Sequence, residues 1–569
     1  MLNILKHESP RRDFLRLGIG VASGIVLSAG VGRCSKKYSE QTFVQPDILV
    51  SQNGVLDVTL TVSYWNTHLS GEDLATKFPV YLRSYGYNNN LPSYAGPTLV
   101  VKGGDKLRIL LVNNLPLNPP AAPNDPLLYM KPNTTNLHTH GLHVFPGRYD
   151  DLGGQEYGDY VVDSRTGGVV PEGDSRQYSY DIPMDHPAGP FYYHPQFHGS
   201  SAIQVASFMQ GALMVRGPVD DLLDMAQAVE LIFLFQAPYF TNRDDYKCCG
   251  IESGILEDFE QLSDYPTGRG INHSNTSYVS MQPVLINGVR QPTIILESGE
   301  VQRWRFINTQ ISNCLNICLD DHILYQYTRD GWGSTDYQEY PDAREKDGKG
   351  IELSAGNRSS VIVKAGVPGT YLLRSLPVRI SNNNQGSILP GDVLARVVVI
   401  ERKAIKNIAA KMPLAPLPVS DFLEPISDDE FSGCGGRKRS IIFNMFVGDE
   451  LPNYPRTQSA ESQLQRSNPV IQNVIIGAVE EWTIFNFNSI SHSFHIHVNP
   501  MFVTKINDQP IDPYWCDTVA LPAGGSPEMP TSVTFRMRFR DFVGPFILQS
   551  QMLQYSDLGL VQRVTVVPE

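Results

Sequence analysis

Histidines fall into three short clusters, and imidazole is a ligand that suits both copper and zinc. His138 and His140 stand in NLHTHGLHV, His194 and His198 in YYHPQFHGS, and His492, His495 and His497 in SHSFHIHVNP. Side chains at i and i+2 leave the same face of a β-strand, so each His-x-His pair aims two imidazoles in one direction. Three such strands brought together would enclose a metal cluster. A fourth segment, GPFILQSQMLQYSDLGL from Gly544 to Leu560, carries the alternation Gln549-Ser550-Gln551 near the end of the chain.

The elements that must position these residues read as strands. At 569 residues the chain holds roughly two to four domains with ample apolar content for cores. Its 47 glycines and 41 prolines point to many turns and short strands, and helical periodicity is rare after the N-terminus, which predicts an all-β protein. Three β units can be marked: 44–217, 223–401 and 440–569, with a proline-bearing linker over 402–439. The phrases GGDKLRILLVNN, SGEVQRWRFIN and IGAVEEWTIFNFN share a glycine turn, a polar or acidic residue and a strand ending in asparagine. Their wide spacing predicts three copies of one sandwich and not a solenoid.

Residues 1–33 read as a targeting segment outside the fold. Ser9-Pro-Arg-Arg-Asp-Phe-Leu15 precedes an apolar run from Leu17 to Gly32, the pattern of a twin-arginine signal. That run is 16 residues, short against the roughly 20 that span a bilayer. Removal near Ala29-Gly30, export to the periplasm or another extracytoplasmic space, and no transmembrane segment thereafter are expected. Arg33 just before Cys34 fits lipoprotein processing badly.

The signal carries five basic and two acidic residues; subtracting its +3 from −13 leaves about −16 for the rest. That argues against nucleic acid as a partner, and against binding to anionic lipid by charge. Seven cysteines are too few for a disulfide scaffold. One pair among Cys34, Cys248, Cys249 and Cys434 could bridge in an oxidising compartment, whereas Cys314 and Cys318 read as thiols in a strand-like segment.

With these phrases and clusters in hand, the chain resembles the multicopper oxidases, in particular the bacterial laccase-like branch. The resemblance covers nearly all of the chain after the signal and includes Tyr180 to Val215, HIHVNPMFV from His495 to Val503, and DPYWCDTVALPAGG from Asp512 to Gly525. It implies three cupredoxin-like Greek-key β-sandwich domains, of the plastocyanin-like type. A type 1 copper would lie in the last domain, and a trinuclear cluster between the first and last. It implies type 2 ligands at His138 and His495. One type 3 copper would take the positions of His140, His194 and Gln551, the other those of Gln196, His497 and Gln549.

Five of the eight cluster histidines are therefore present, and three are glutamine. At the type 1 positions His492 remains, with Ser550 for the thiolate, Tyr555 for the second histidine and Leu560 in the axial place. Serine has no accessible alkoxide near neutral pH, and neutral amides bind copper far more weakly than imidazole. Type 1 copper is expected to be absent and the four-electron oxidase activity lost. His198, four residues after His194, would face the same side only if the strand stays extended, and the resemblance implies that this position is normally unliganded.

Two readings of the remaining site stay open. His138 and His495, joined by His140, His194 or His497, would hold a mononuclear copper or zinc at a residual type 2-like site, for slow oxidoreductase chemistry or for metal storage. Alternatively the histidines are inherited and metal-free, and the protein is an exported pseudoenzyme acting on an unidentified protein partner. Lesser motifs are His143, read as a packing or capping residue, a tyrosine-rich loop with Tyr81, Tyr85, Tyr87 and Tyr94, and Asp320-Asp321, read as solvated turn residues.

Overall fold

A computed structural model describes residues 42–71, 78–118, 131–147, 158–161, 168–238, 254–255, 284–343, 349–381, 388–402, 411–413, 415–443, 471–526, 528–557 and 560–569. The signal segment and Cys34, Cys248 and Cys249 lie outside these residues. The protein is all-β with cupredoxin-like sheets, as expected. Among the described residues no helix is long and apolar enough to cross a membrane.

The alternation read in the sequence sets the faces of the strands. In Lys106–Asn113, Leu107, Ile109 and Leu111 are buried while Lys106 and Arg108 point outward. The inward residues of the N-terminal third join Val58, Leu60, Tyr178, Tyr180, Phe191 and Leu213 in one core. A second core forms around Phe233, Trp304, Phe306, Val361 and Val397, and a third around Trp482, Phe494, Phe535, Leu548 and Val564. Each fully buried aliphatic or aromatic side chain contributes about 1.5–3 kcal/mol.

In the N-terminal third, a five-stranded sheet runs in the order Ile48–Val50, Gly96–Lys102, Gly211–Arg216, Gly189–His194, His138–His140. The facing sheet does not stop at the unit's edge. Val289 and Arg290 pair with Ser70 and Gly71, so hydrogen bonding continues into the middle third and gives one 12-stranded sheet. The sequence carries no signal of this continuity, because two-residue strands leave no periodic pattern.

The C-terminal third has two five-stranded sheets. One of them runs Ile471–Ile475, Val561–Val567, Gly544–Ser550, His492–Ile496, Thr518–Leu521. The first sheet of the chain ends on the His138–His140 strand, and this last sheet carries its own histidine strand next to the Gly544–Ser550 strand.

Two lesser readings need correction. Tyr81, Tyr85 and Tyr87 belong to the Phe78–Tyr87 strand and not to a loop; Tyr85 is fully buried and Tyr81 stacks on Tyr64 at 4.4 Å. Asp320 is a buried partner of Arg374, at 2.8 and 3.2 Å, and not a solvated turn residue.

Candidate metal centre between the first and last sheets

His138 sits opposite His194 in the antiparallel pairing of their strands, and His495 sits opposite both Thr518 and Gln549. Period-two geometry then turns His138 and His140 from one side, and His495 and Gln549 from the other, into a single buried space. All five predicted ligands meet there: His138, His495 and His497 form one group, and His138, His140 and His194 another, each with ring nitrogens within 4.8 Å of one another. All five residues are fully buried.

The hydrogen bonds of the rings divide them into two kinds. Nδ1 of His138 donates to Asp159 at 2.8 Å, Nδ1 of His497 donates to the same carboxylate at 3.2 Å, and Nδ1 of His495 donates to the Asp517 carbonyl at 2.9 Å. A carboxylate or carbonyl at Nδ1 fixes the proton there and leaves a lone pair on Nε2. The Nε2 atoms of these three rings are buried without a hydrogen-bond partner. His140 and His194 instead engage each other. Nδ1 of His140 lies 3.4 Å from Nε2 of His194, Nε2 of His140 is 3.0 Å from the Thr518 hydroxyl, and Nδ1 of His194 meets the Pro195 carbonyl at 2.9 Å.

Electrostatics keep the pocket ready for a cation. Burial, and after it the neighbouring imidazoles, holds His140, His194 and His497 well below the usual histidine range, and burial lowers His495. These rings are therefore neutral at neutral pH, the form that binds metal. His138 stacks on His497 at 3.8 Å and His140 on His495 at 3.7 Å, an arrangement that like charges would oppose. Burial opposes ionisation of Asp159, but the His138 and His497 rings outweigh it and hold the carboxyl far below its ordinary range. Arg358 grips Asp517 through two 2.6 Å bonds and also donates to the Pro190 carbonyl, tying the middle third to both histidine-bearing sheets. Asp517 stays ionised against that guanidinium, whereas burial and the charge of Asp517 push Asp330 upward.

The glutamines form a closed network beside the histidines. Gln196 and Gln549 exchange amide hydrogen bonds at 2.7 and 3.0 Å, Gln549 donates to Gln551 at 3.2 Å, and Gln551 donates to the Tyr192 hydroxyl at 3.1 Å. Gly356, at φ +84°, allows this packing: a Cβ there would run into the Gln551 side chain.

On the opposite face of the same strands, His492 and Ser550 are buried in the C-terminal core, and both His492 nitrogens and the Ser550 hydroxyl lack partners. The Tyr555 ring lies 5.5 Å from His492, and Leu560 packs against this core. Among the described residues, His198 is not part of any group that could hold a metal. Its strand ends at His194, and its Nδ1 is 3.5 Å from the Ser556 hydroxyl in the following turn.

Comparison with known proteins bears on the fold. The family model described as multicopper oxidase matches residues 438–569. The chain is 23% identical over 313 residues to a multicopper oxidase of Staphylococcus aureus, covering 54% of each chain. It is 24% identical over 306 residues to a laccase of Botryotinia fuckeliana, covering 52% of this chain and 53% of the laccase. The chain is thus similar to multicopper oxidases, with the family model matching its last third.

It spans about half the length of the curated relatives it matches. Among solved structures, this chain resembles a Campylobacter jejuni multicopper oxidase described as a metallo-oxidase. That likeness has a TM-score of 0.63 at 18% identity and covers 93% of this chain and 96% of that one. A multicopper oxidase variant from Aquifex aeolicus gives a TM-score of 0.64 at 16% identity, covering 93% and 100%. At such identities the likeness speaks for the fold alone.

The sequence reading missed Asp159, Asp517, Thr518 and Arg358, which orient the rings. Asp517 lies inside the DPYWCDTVALPAGG stretch that carried the resemblance, so a signal was present there. Nothing local singles out Asp159 or Arg358.

Proposed function

We propose that this protein keeps the multicopper oxidase fold but not the four-electron reduction of dioxygen, and that its remaining chemistry is one metal pocket formed by His138, His495 and His497. The convergence of three unpartnered, tautomer-fixed Nε2 atoms carries this reading. Three imidazoles with an open fourth position suit copper or zinc. A bound ion there would supply Lewis acidity toward water or a small ligand; the chain itself contributes the imidazole rings, their Nδ1 acceptors and a buried setting.

The other family copper positions do not suit their metals. Reciprocal amide bonding already occupies Gln196 and Gln549, Gln551 is taken up by Gln549 and Tyr192, and His140 and His194 are spent on each other and on Thr518 and Pro195. At the type 1 position, Ser550 offers a hydroxyl where a copper thiolate is needed, Tyr555 a phenol and Leu560 no donor. Without a thiolate there is no path for electrons into the pocket, so storage or a structural metal fits better than turnover. The twin-arginine pattern supports action outside the cytoplasm.

A second reading, a metal-free interaction protein with a protein partner, is favoured by the same glutamine network, which ties the first and last sheets together without an ion. Equilibrium dialysis of the exported protein against copper and zinc separates the two readings. About one ion per chain, lost on changing His138 or His497 to alanine, supports the pocket; no retained ion supports the interaction role.

A further inference from the structure

Among the described residues the middle third supplies no side chain to the metal-binding groups, yet one of its hairpins ends between the two sheets that supply them. Strands Leu324–Arg329 and Trp332–Tyr340 are joined by Asp330 and Gly331 alone. Asp330 has φ +52°, a conformation that aspartate adopts more readily than most residues. On one side the hairpin tip meets the Gly189–His194 strand backbone to backbone. A Cβ on Gly331 would run into the Phe191 ring, and one on Gly189 into the Gly331 carbonyl.

On its other side the tip holds the dipeptide Asp517-Thr518. Asp330 is fully buried, and its Oδ2 accepts the backbone N–H groups of Asp517 and Thr518, at 3.1 Å each. Its Oδ1 accepts the Arg358 N–H at 3.0 Å and the Asn357 amide at 2.9 Å. That amide also donates to the Thr518 carbonyl at 2.8 Å, and the Trp332 indole N–H donates to Asp517 Oδ2 at 2.9 Å. With the two Arg358 bonds to the Asp517 carboxylate, the middle third fixes both N–H groups of the dipeptide, the Thr518 carbonyl and both carboxylate oxygens.

The remaining polar groups of the dipeptide face the imidazoles. The Asp517 carbonyl meets Nδ1 of His495 at 2.9 Å, and the Thr518 hydroxyl lies 3.0 Å from that nitrogen and 3.0 Å from Nε2 of His140. These two rings stack 3.7 Å apart with 11° between their planes. Rotation of an imidazole about its χ2 bond has only broad preferences, so the acceptor at Nδ1 sets where the ring points. Here that acceptor is itself held by Asp330.

We propose that Asp330 is a positioning residue of the metal pocket, caging Asp517-Thr518 so that the dipeptide aligns the His495 ring with His138 and His497. The consequence for metal rests on the three-histidine reading; the alignment of the ring does not.

Nitrogen-15 NMR of the full chain labelled at histidine, at pH 8 in chelator, tests the alignment. The Nδ1–H signal of His495, assigned by its loss in His495→Gln, is expected to move in Asp330→Asn, because an amide NH2 cannot accept the N–H groups that one carboxylate oxygen takes. Asn357→Ala, at a half-buried residue, removes one bond to Asp330 and one to the Thr518 carbonyl. It should move the signal by less, and it decides the matter if Asp330→Asn fails to fold. Asp320→Asn breaks a buried carboxylate–arginine pair elsewhere in the middle third and should leave the signal in place. An unmoved His495 signal in a folded Asp330→Asn or Asn357→Ala chain overturns the proposal, as does an equal shift in Asp320→Asn, which would mean general loosening of the middle third. Equilibrium dialysis adds a separate arm: affinity for copper or zinc should fall about tenfold or more in Asp330→Asn, and unchanged affinity overturns the role in the pocket. No metal binding by the unsubstituted protein would defeat the pocket reading, while the NMR result still decides whether Asp330 aligns His495.

Discussion

Gln196 and Gln549 face each other across the junction of the first and last sheets and exchange two amide hydrogen bonds, at 2.7 and 3.0 Å. Both side chains are fully buried, and the Ser556 hydroxyl donates to Gln549 at 2.8 Å. Two positions at which the family resemblance places histidine are thus satisfied by each other. A buried polar group costs little when paired and much when its partner is removed.

Breaking that pair should therefore weaken the fold without any metal present. Gln196→Ala or Gln549→Ala is expected to cost about 1–3 kcal/mol in urea unfolding performed in chelator. The double variant should cost less than the sum, because the second change no longer strands an amide. Additive losses would mean that the two amides do not act as a unit.

Asp159 should matter to metal binding although it is not a ligand in the proposed pocket. It accepts the Nδ1 protons of both His138 and His497. Asp159→Ala frees both tautomers, and affinity for copper or zinc in equilibrium dialysis should fall by about 10- to 100-fold. Circular dichroism of the variant separates loss of orientation from loss of fold.

Stability should fall on the acid side. Burial pushes His186 and His492 down to about 3, from 6.5 when unfolded. The unfolded chain then binds more protons than the native one between those values, so folding stability rises with pH through this window and is lost as pH drops from about 6.5 toward 3. Each such ring contributes about 1.4 kcal/mol per pH unit there. Chemical denaturation at several pH values checks the sign; a flat profile between pH 6.5 and 4 would contradict the buried, neutral state of these rings.

On the proposed reading, the type 1 and type 3 centres should be recoverable only together. Restoring the last motif with Ser550→Cys, Gln549→His, Gln551→His and Tyr555→His, along with Gln196→His, should produce blue colour and oxygen uptake on copper loading. If the five-fold variant folds and stays colourless, the geometry of the pocket has changed along with its ligands.

Much of this architecture was legible because β-structure writes a period of two into the chain. His138 and His140, and His495 and His497, could be placed on common faces from spacing alone, and Leu107, Ile109 and Leu111 marked an inward face. What escaped was long-range. His140 meets Thr518 across 378 residues, and Arg358 reaches Asp517 across 159, contacts that no local pattern encodes. The Tyr81–Tyr87 strand was misread because tyrosines alternating with polar residues resemble an exposed hairpin until Tyr64 and Tyr193 are seen packed against them. His198 could share the His194 face only in a continuing strand, and Pro195 directly after His194 ends the extended run.

The most direct measurement is elemental analysis of the exported protein after copper loading and dialysis, read beside its visible absorption spectrum. The account predicts about one tightly held ion per chain and no intense blue colour. Three or four coppers per chain with a strong blue band would contradict it, since that result requires the thiolate and histidine positions that Ser550, Gln549 and Gln551 occupy here.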